Sequence, residues 1–107
     1  MEGESMISTA VRVDHDAIAA SCRRNGAKFL DLFGSVVTDR FDPDKSDVDA
    51  LVAFEDVPGL SRFDAYFGLI EDLQAIFGRP VDLVTERSMR NPYFIRAVQR
   101  QRVRVYP

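Results

Sequence analysis

The sequence predicts an α/β domain of the α+β kind, a small mixed β-sheet flanked by helices, and three observations carry that expectation. Short apolar runs bounded by turn residues recur at Lys28–Phe33, Asp47–Phe54 and Val81–Thr85. A stretch after Ser61 carries apolar residues at three-to-four spacing, the period of an amphipathic helix. Helix caps and stops alternate with these runs in the order α-β-β-α-β-α-β, a sheet with helices packed on it. The 107 residues fit one domain, 1–107. A composition of 46% hydrophobic and 29% charged residues excludes a disordered tail or a collagen-like repeat. The longest apolar run, Ala50–Phe54, is five residues long. A membrane helix needs about 20 and a signal peptide an apolar core of roughly 7–15, so neither is expected. Cys22 is the one cysteine, which rules out an internal disulfide and fits a reducing cytoplasm.

Each element has its own signal. The first dozen residues are polar and aperiodic, so a frayed start is expected. A helix from Asp14 to Asn25 takes its N-cap from Asp14 or Asp16, places Arg23 and Arg24 at the negative end of its dipole, and stops at Gly26. Lys28–Phe33 reads as a strand ending in a tight turn at Gly34-Ser35, and Thr38–Ser46, with Pro43, reads as a loop. Asp47–Phe54 is the second strand, closed by Pro58-Gly59. Ser61 and Asp64 form the Asp variant of a capping box. The helix they open has Phe63, Phe67, Ile70, Leu73 and Phe77 as its expected core stripe and Gly78 as its stop. Val81–Thr85 follows Pro80 as a third strand. Asn91-Pro92 provides N-cap and first turn for a helix to about Gln101, burying Phe94 or Ile95 with Val98 and leaving Arg96 and Arg100 outside. Val103 and Val105 alternate with Arg102, Arg104 and Tyr106 in a terminal strand.

Charge is unevenly spread. Residues 1–86 hold 8 Lys/Arg against 17 Asp/Glu, whereas residues 87–107 hold six Arg and no acid. Two readings compete: a basic surface that docks an acidic partner, or a segment that neutralises the acidic remainder of its own chain.

Chemistry concentrates in Gly34-Ser35, eleven further residues, and then Asp47-Val48-Asp49. Carboxylates at i and i+2 of a strand point to one face, about 6.5–7 Å apart at Cα, and can converge on one or two divalent ions. Two like charges held together are costly unless a cation or hydrogen bonds compensate them. Hard oxygen donors favour Mg²⁺ or Mn²⁺, and Mg²⁺ keeps coordination positions for phosphate oxygens. Gly34 permits a turn and a close phosphate approach, and Ser35 offers a hydroxyl donor. A third acid, Asp82, sits between aliphatic residues in Val81-Asp82-Leu83-Val84, where a metal or an incoming nucleophile's proton would give it a role.

Gly-Ser, a spacer, Asp-x-Asp and a later lone Asp on a strand resemble the DNA polymerase beta-like nucleotidyltransferases. More closely, the chain is similar to the minimal nucleotidyltransferases (MNT antitoxins) that pair with HEPN-domain toxins, over nearly its whole length. The resemblance implies the polymerase beta-like nucleotidyltransferase fold, metal binding and catalysis by Asp47, Asp49 and Asp82, and nucleotide binding by Gly34 and Ser35. It also implies Mg²⁺ (or Mn²⁺) as cofactor and transfer of AMP from ATP, or of another nucleoside monophosphate from its triphosphate, to a hydroxyl. The implied acceptor is a tyrosine of a HEPN toxin, which the transfer would silence. The chain departs from many relatives after Gly-Ser: Val36-Val37-Thr38-Asp39 replaces an Arg-Ala-Arg-like segment, and the nearest base is Arg40. Neither a membrane nor direct nucleic-acid binding is expected. Two other function classes stay open: a non-enzymatic module that masks its partner, and a small-molecule nucleotidyltransferase of the antibiotic-modifying kind.

Simpler readings accompany each residue. Asp47 and Asp49 fit a solvated strand start, Asp82 a strand edge facing water, and Ser35 a turn cap. The loop from Asp42 is not an EF-hand, because Asp47 and Ala53 stand where Gly and Glu are required, and no P-loop or dinucleotide fingerprint occurs. His15 reads as a solvated or capping residue and Cys22 as a small buried hydrophobe. Tyr93, Phe94 and Tyr106 read as packing residues rather than base-stacking ones.

Overall fold

Asp14 accepts a hydrogen bond from the Ala17 amide and caps α1, His15–Arg24, which ends on Asn25. In the computed structural model, which describes residues 7–107, this helix is followed by β1 (Ala27–Phe33), a 3₁₀ turn (Gly34–Val37), β2 (Val48–Phe54) and α2 (Arg62–Phe77). Then come β3 (Val81–Thr85), a second short 3₁₀ turn, α3 (Pro92–Gln101) and β4 (Val103–Tyr106). Local chemistry sets the remaining boundaries as the caps predict. Ser61 accepts from the Asp64 amide, Gly78 takes the left-handed conformation at φ 67°, and Asn91 accepts from the Tyr93 and Phe94 amides.

The sheet order is β3-β2-β1-β4, with β1 antiparallel to both β2 and β4 and β2 parallel to β3. Strand alternation sorts side chains to two unlike faces. On one face Leu30, Leu32, Ala50, Val52 and Leu83 pack with Ile18 and Cys22 of α1 and Leu69 and Leu73 of α2. Burial pushes the Cys22 thiol up to about 12, Arg23 opposing only in part, so it behaves as a hydrophobe. The other face is thinner: Phe33 and Leu51 are covered by Val98 of α3, with Phe29, Val84 and Met89 around them.

Four expectations need correction. Only part of the expected stripe of α2 faces the core: Leu73 is buried and Ile70 and Phe77 pack half-buried against it, but Phe63 is 69% and Phe67 46% exposed, and Ala65 and Leu69 take their place. Two overlapping stripes share the three-to-four period, and the sheet selects the slimmer one because small and aliphatic side chains allow close approach. Asp47 precedes β2 rather than opening it. Residues 7–13 are not frayed: Ile7 and Val11 are buried, and the Ser8 amide donates to Val36 O at 2.7 Å; residues 1–6 lie outside the described range. Finally, Val98 alone of α3 is buried, with Ile95 half-buried and Phe94 39% exposed against Phe33.

Candidate functional site

The acids gather on the thinner face. Asp49 is the second residue of β2; its Cα partners are Phe33 on β1 and Asp82 on β3. Asp49 is half-buried, Asp82 is exposed on the edge strand, and Asp47 is exposed just before β2. Burial pushes the Asp49 carboxyl up to about 6, and the negative charges of Asp82 and Asp47 add to that. Asp49 therefore feels both of the other acids, although the three come from two strands and a loop.

Gly34 joins the turn to this bay. It follows Phe33, adopts φ +74°, and a Cβ placed on it would collide with the Asp49 carboxylate oxygen Oδ2. Both features demand glycine, one through backbone conformation and one through space. Ser35, next in the turn, is half-buried and lines a small polar cavity with Gly34 and Thr38. The structure thus brings Gly34, Ser35, Asp49 and Asp82 to one end of the sheet, with Asp47 at its mouth.

Arg79 fixes the loop that carries Asp47. Its Nη1 donates to Pro43 O at 3.0 Å and to Ser46 O at 3.4 Å, and its guanidinium lies 4.8 Å from the centre of the Phe41 ring. One residue on, Pro80 O accepts from the Val48 amide at 3.1 Å. Asp47 is thereby held between two anchored neighbours.

Among the described residues, no group of three or more His, Cys, Asp or Glu side chains is gathered tightly enough to enclose a metal ion. The bay is open, with hard oxygen donors and mutually repelling charges. That donor set fits Mg²⁺ or Mn²⁺, which are bound through one or two carboxylates plus water and phosphate oxygens rather than in an all-protein cage. Asp47, Asp49 and Asp82 are the residues able to hold them.

Sequence reasoning missed Asp31. It lies on β1, pairs in register with Leu51, and is 1% exposed. The Nε groups of Arg102 and Arg104 both donate to its carboxylate, and the two guanidinium groups lie 5.3 Å and 4.4 Å from the Phe29 ring centre. Two of the six C-terminal arginines thus neutralise the chain's own acid, whereas Arg87, Arg90, Arg96 and Arg100 stay exposed. No described helix is long and apolar enough to cross a membrane.

Residues 16–105 match the nucleotidyltransferase domain family. The chain is 36% identical over 72 residues to a candidate protein adenylyltransferase of Methanocaldococcus jannaschii, covering 67% of this chain and 70% of that one. It is 41% identical over 68 residues to the protein adenylyltransferase MntA of Thermococcus cleftensis, covering 64% and 65%. Among solved structures, a candidate minimal nucleotidyltransferase superposes with a TM-score of 0.65 at 34% identity, over 83% of this chain and 86% of the other. A toxin–antitoxin structure with AMP-PNP superposes equally well, TM-score 0.65 at 25% identity, over 87% and 73%. A complex of tri-AMPylated Shewanella oneidensis HEPN toxin with its MNT antitoxin gives 0.56 at 26% identity, over 85% and 67%. With its acids and its Gly-Ser turn at one end of a four-stranded mixed sheet, the chain belongs to the nucleotidyltransferase domain family, as a minimal nucleotidyltransferase of the polymerase beta-like fold.

Proposed function

We propose that this chain is a protein adenylyltransferase and an antitoxin, moving AMP from ATP to a tyrosine hydroxyl of a HEPN-type toxin. The observation that carries the chemistry is the half-buried Asp49, flanked by two further acids and faced by a glycine that leaves room at its carboxylate. A relative named protein adenylyltransferase and a similar structure with an AMPylated HEPN toxin support the choice of nucleotide and acceptor.

In this reading the acceptor oxygen attacks the α-phosphorus, the bond to the bridging α–β oxygen breaks, and pyrophosphate leaves. Asp47, Asp49 and Asp82 would hold Mg²⁺ or Mn²⁺, which when bound supplies charge neutralisation at the attacking and leaving oxygens. Asp82, exposed on the edge strand, would take the proton of the incoming hydroxyl. Gly34 lets the phosphates approach, and the Ser35 hydroxyl donates to them.

Labelled ATP, the divalent cation and a co-purified partner toxin test this directly. Wild type is expected to label the toxin, and Asp47→Asn with Asp49→Asn to lower labelling at least about a thousandfold, on the scale of lost electrostatic groups. Neutralisation of the toxin without labelling, undiminished in the double variant, would replace the enzymatic reading with a masking one.

A further inference from the structure

We propose that Arg40 and Gln101 form a subsite for the phosphate tail of the nucleotide, an inference that rests on the nucleotide-transfer reading above. Ser35 lines a cavity of about 200 Å³ together with Gly34, Thr38, Arg40 and Gln101. That volume is smaller than the roughly 300 Å³ at which sites for whole small molecules begin, so the cavity suits a fragment. Its lining residues carry one guanidinium, the Ser35 hydroxyl and one carboxamide, and no carboxylate, while the Thr38 hydroxyl gives its proton to Ser35 O. Such a set suits an anion. Gly34 borders both this cavity and the Asp49 carboxylate, so an anion seated here lies beside the acids without being surrounded by them.

The loop is built to present Arg40. The Thr38 hydroxyl donates to Ser35 O at 2.8 Å and accepts from the Arg40 amide at 3.1 Å, tying the backbone of Arg40 to the Gly-Ser turn. The arginines at 24, 62, 79, 102 and 104 spend their guanidinium groups on acids or carbonyls. Among the described residues, no hydrogen bond or ion pair engages that of Arg40. Gln101 ends α3 and lines the same cavity from far along the chain. Arg40 supplies charge and Gln101 a neutral donor. Arg40, just beyond the Val36-Val37-Thr38-Asp39 segment, thereby reaches the place that Val36 and Val37, both buried, cannot serve.

Calorimetric titration of the full chain with a non-hydrolysable ATP analogue and with AMP, in Mg²⁺, tests the assignment. Arg40→Ala is expected to weaken the analogue about tenfold, as for a lost hydrogen bond to a charged group, and Gln101→Ala about threefold. Arg40→Lys should recover part of the loss. Arg100→Ala, outside the cavity, should leave the analogue unchanged, and AMP, which lacks the tail, should not distinguish Arg40→Ala from wild type. Equal analogue affinity in wild type and Arg40→Ala, or an equal loss in Arg100→Ala, would overturn the subsite while leaving the transfer reading intact. Failure of wild type to bind the analogue at all would overturn both.

Discussion

Asp31 and Asp49 stand on the same face of the same sheet, on neighbouring strands, and receive opposite treatment. Asp31 is sealed from water and met by two guanidinium groups. Asp49 is less buried, yet its charged neighbours are Asp82 and Asp47, and its carboxyl rises to about 6. The chain has cations to spend, and spends them where the acid is structural. At Asp49 no cation among the described residues offsets the charge, in keeping with the metal and nucleotide site proposed above. Buried acids are therefore sorted here by who neutralises them, not by depth.

The largest test of the contrast is to remove each acid's charge. Asp31→Asn leaves Arg102, 23% exposed at its side chain, beside an apolar face without its counter-ion. Breaking a buried pair costs about 3 kcal/mol at the low end of such cases, and thermal unfolding should fall by roughly 10–20 °C. Asp49→Asn should leave the metal-free melting temperature unchanged or raised, since it removes like-charge repulsion. An equal fall in both variants would erase the distinction.

Gly34→Ala probes the space kept open at Asp49. The left-handed backbone costs about 1–2 kcal/mol for a residue with a Cβ, and the new methyl displaces the Asp49 carboxylate. A loss of roughly 5–10 °C is expected. Part of it should vanish in an Asp49→Ala background, where a double-mutant cycle isolates the contact.

The smallest effect is in pH. An aspartate titrates at about 3.9 in the unfolded chain, whereas burial and the neighbouring acids push Asp49 up to about 6 in the folded one. The folded state therefore holds the extra proton. Stability from the protonated form is complete below the unfolded value and is lost as pH rises through about 6. In metal-free protein, the melting temperature of Asp49→Asn minus that of wild type should widen by a few degrees between about pH 4 and 7. A constant difference would remove the electrostatic account of Asp49.

Local signals made most of this architecture legible. Asp14, Ser61 and Asn91 cap the helices that follow them, Gly78 ends α2, and the apolar runs become the strands, because each depends on neighbours in sequence. Asp49 and Asp82 were readable as acids against an apolar background, and Gly34 as a turn glycine. What escaped depends on the sheet. Nothing near Phe63 or Phe67 tells which of two stripes on α2 meets the strands, and nothing near Asp31 announces an arginine more than 70 positions away. Gln101, polar at a helix end, has no local signal of sharing a cavity with Ser35.

The separation of Asp31 from its arginines, 71 and 73 positions along the chain, also bears on how the molecule assembles. Contacts so distant in sequence require nearly the whole chain to be drawn together first, and such closures are slow. The β1–β2 pairing and the packing of α1 can form while Asp31 is still hydrated, and only the arrival of β4 excludes water from it. Docking of that strand is then the step at which the acid passes from solvent to salt bridge. Interactions that form after the folding transition state slow unfolding rather than speed folding, so an Asp31 cluster completed by the docking of β4 would act as a latch on the time the sheet stays closed.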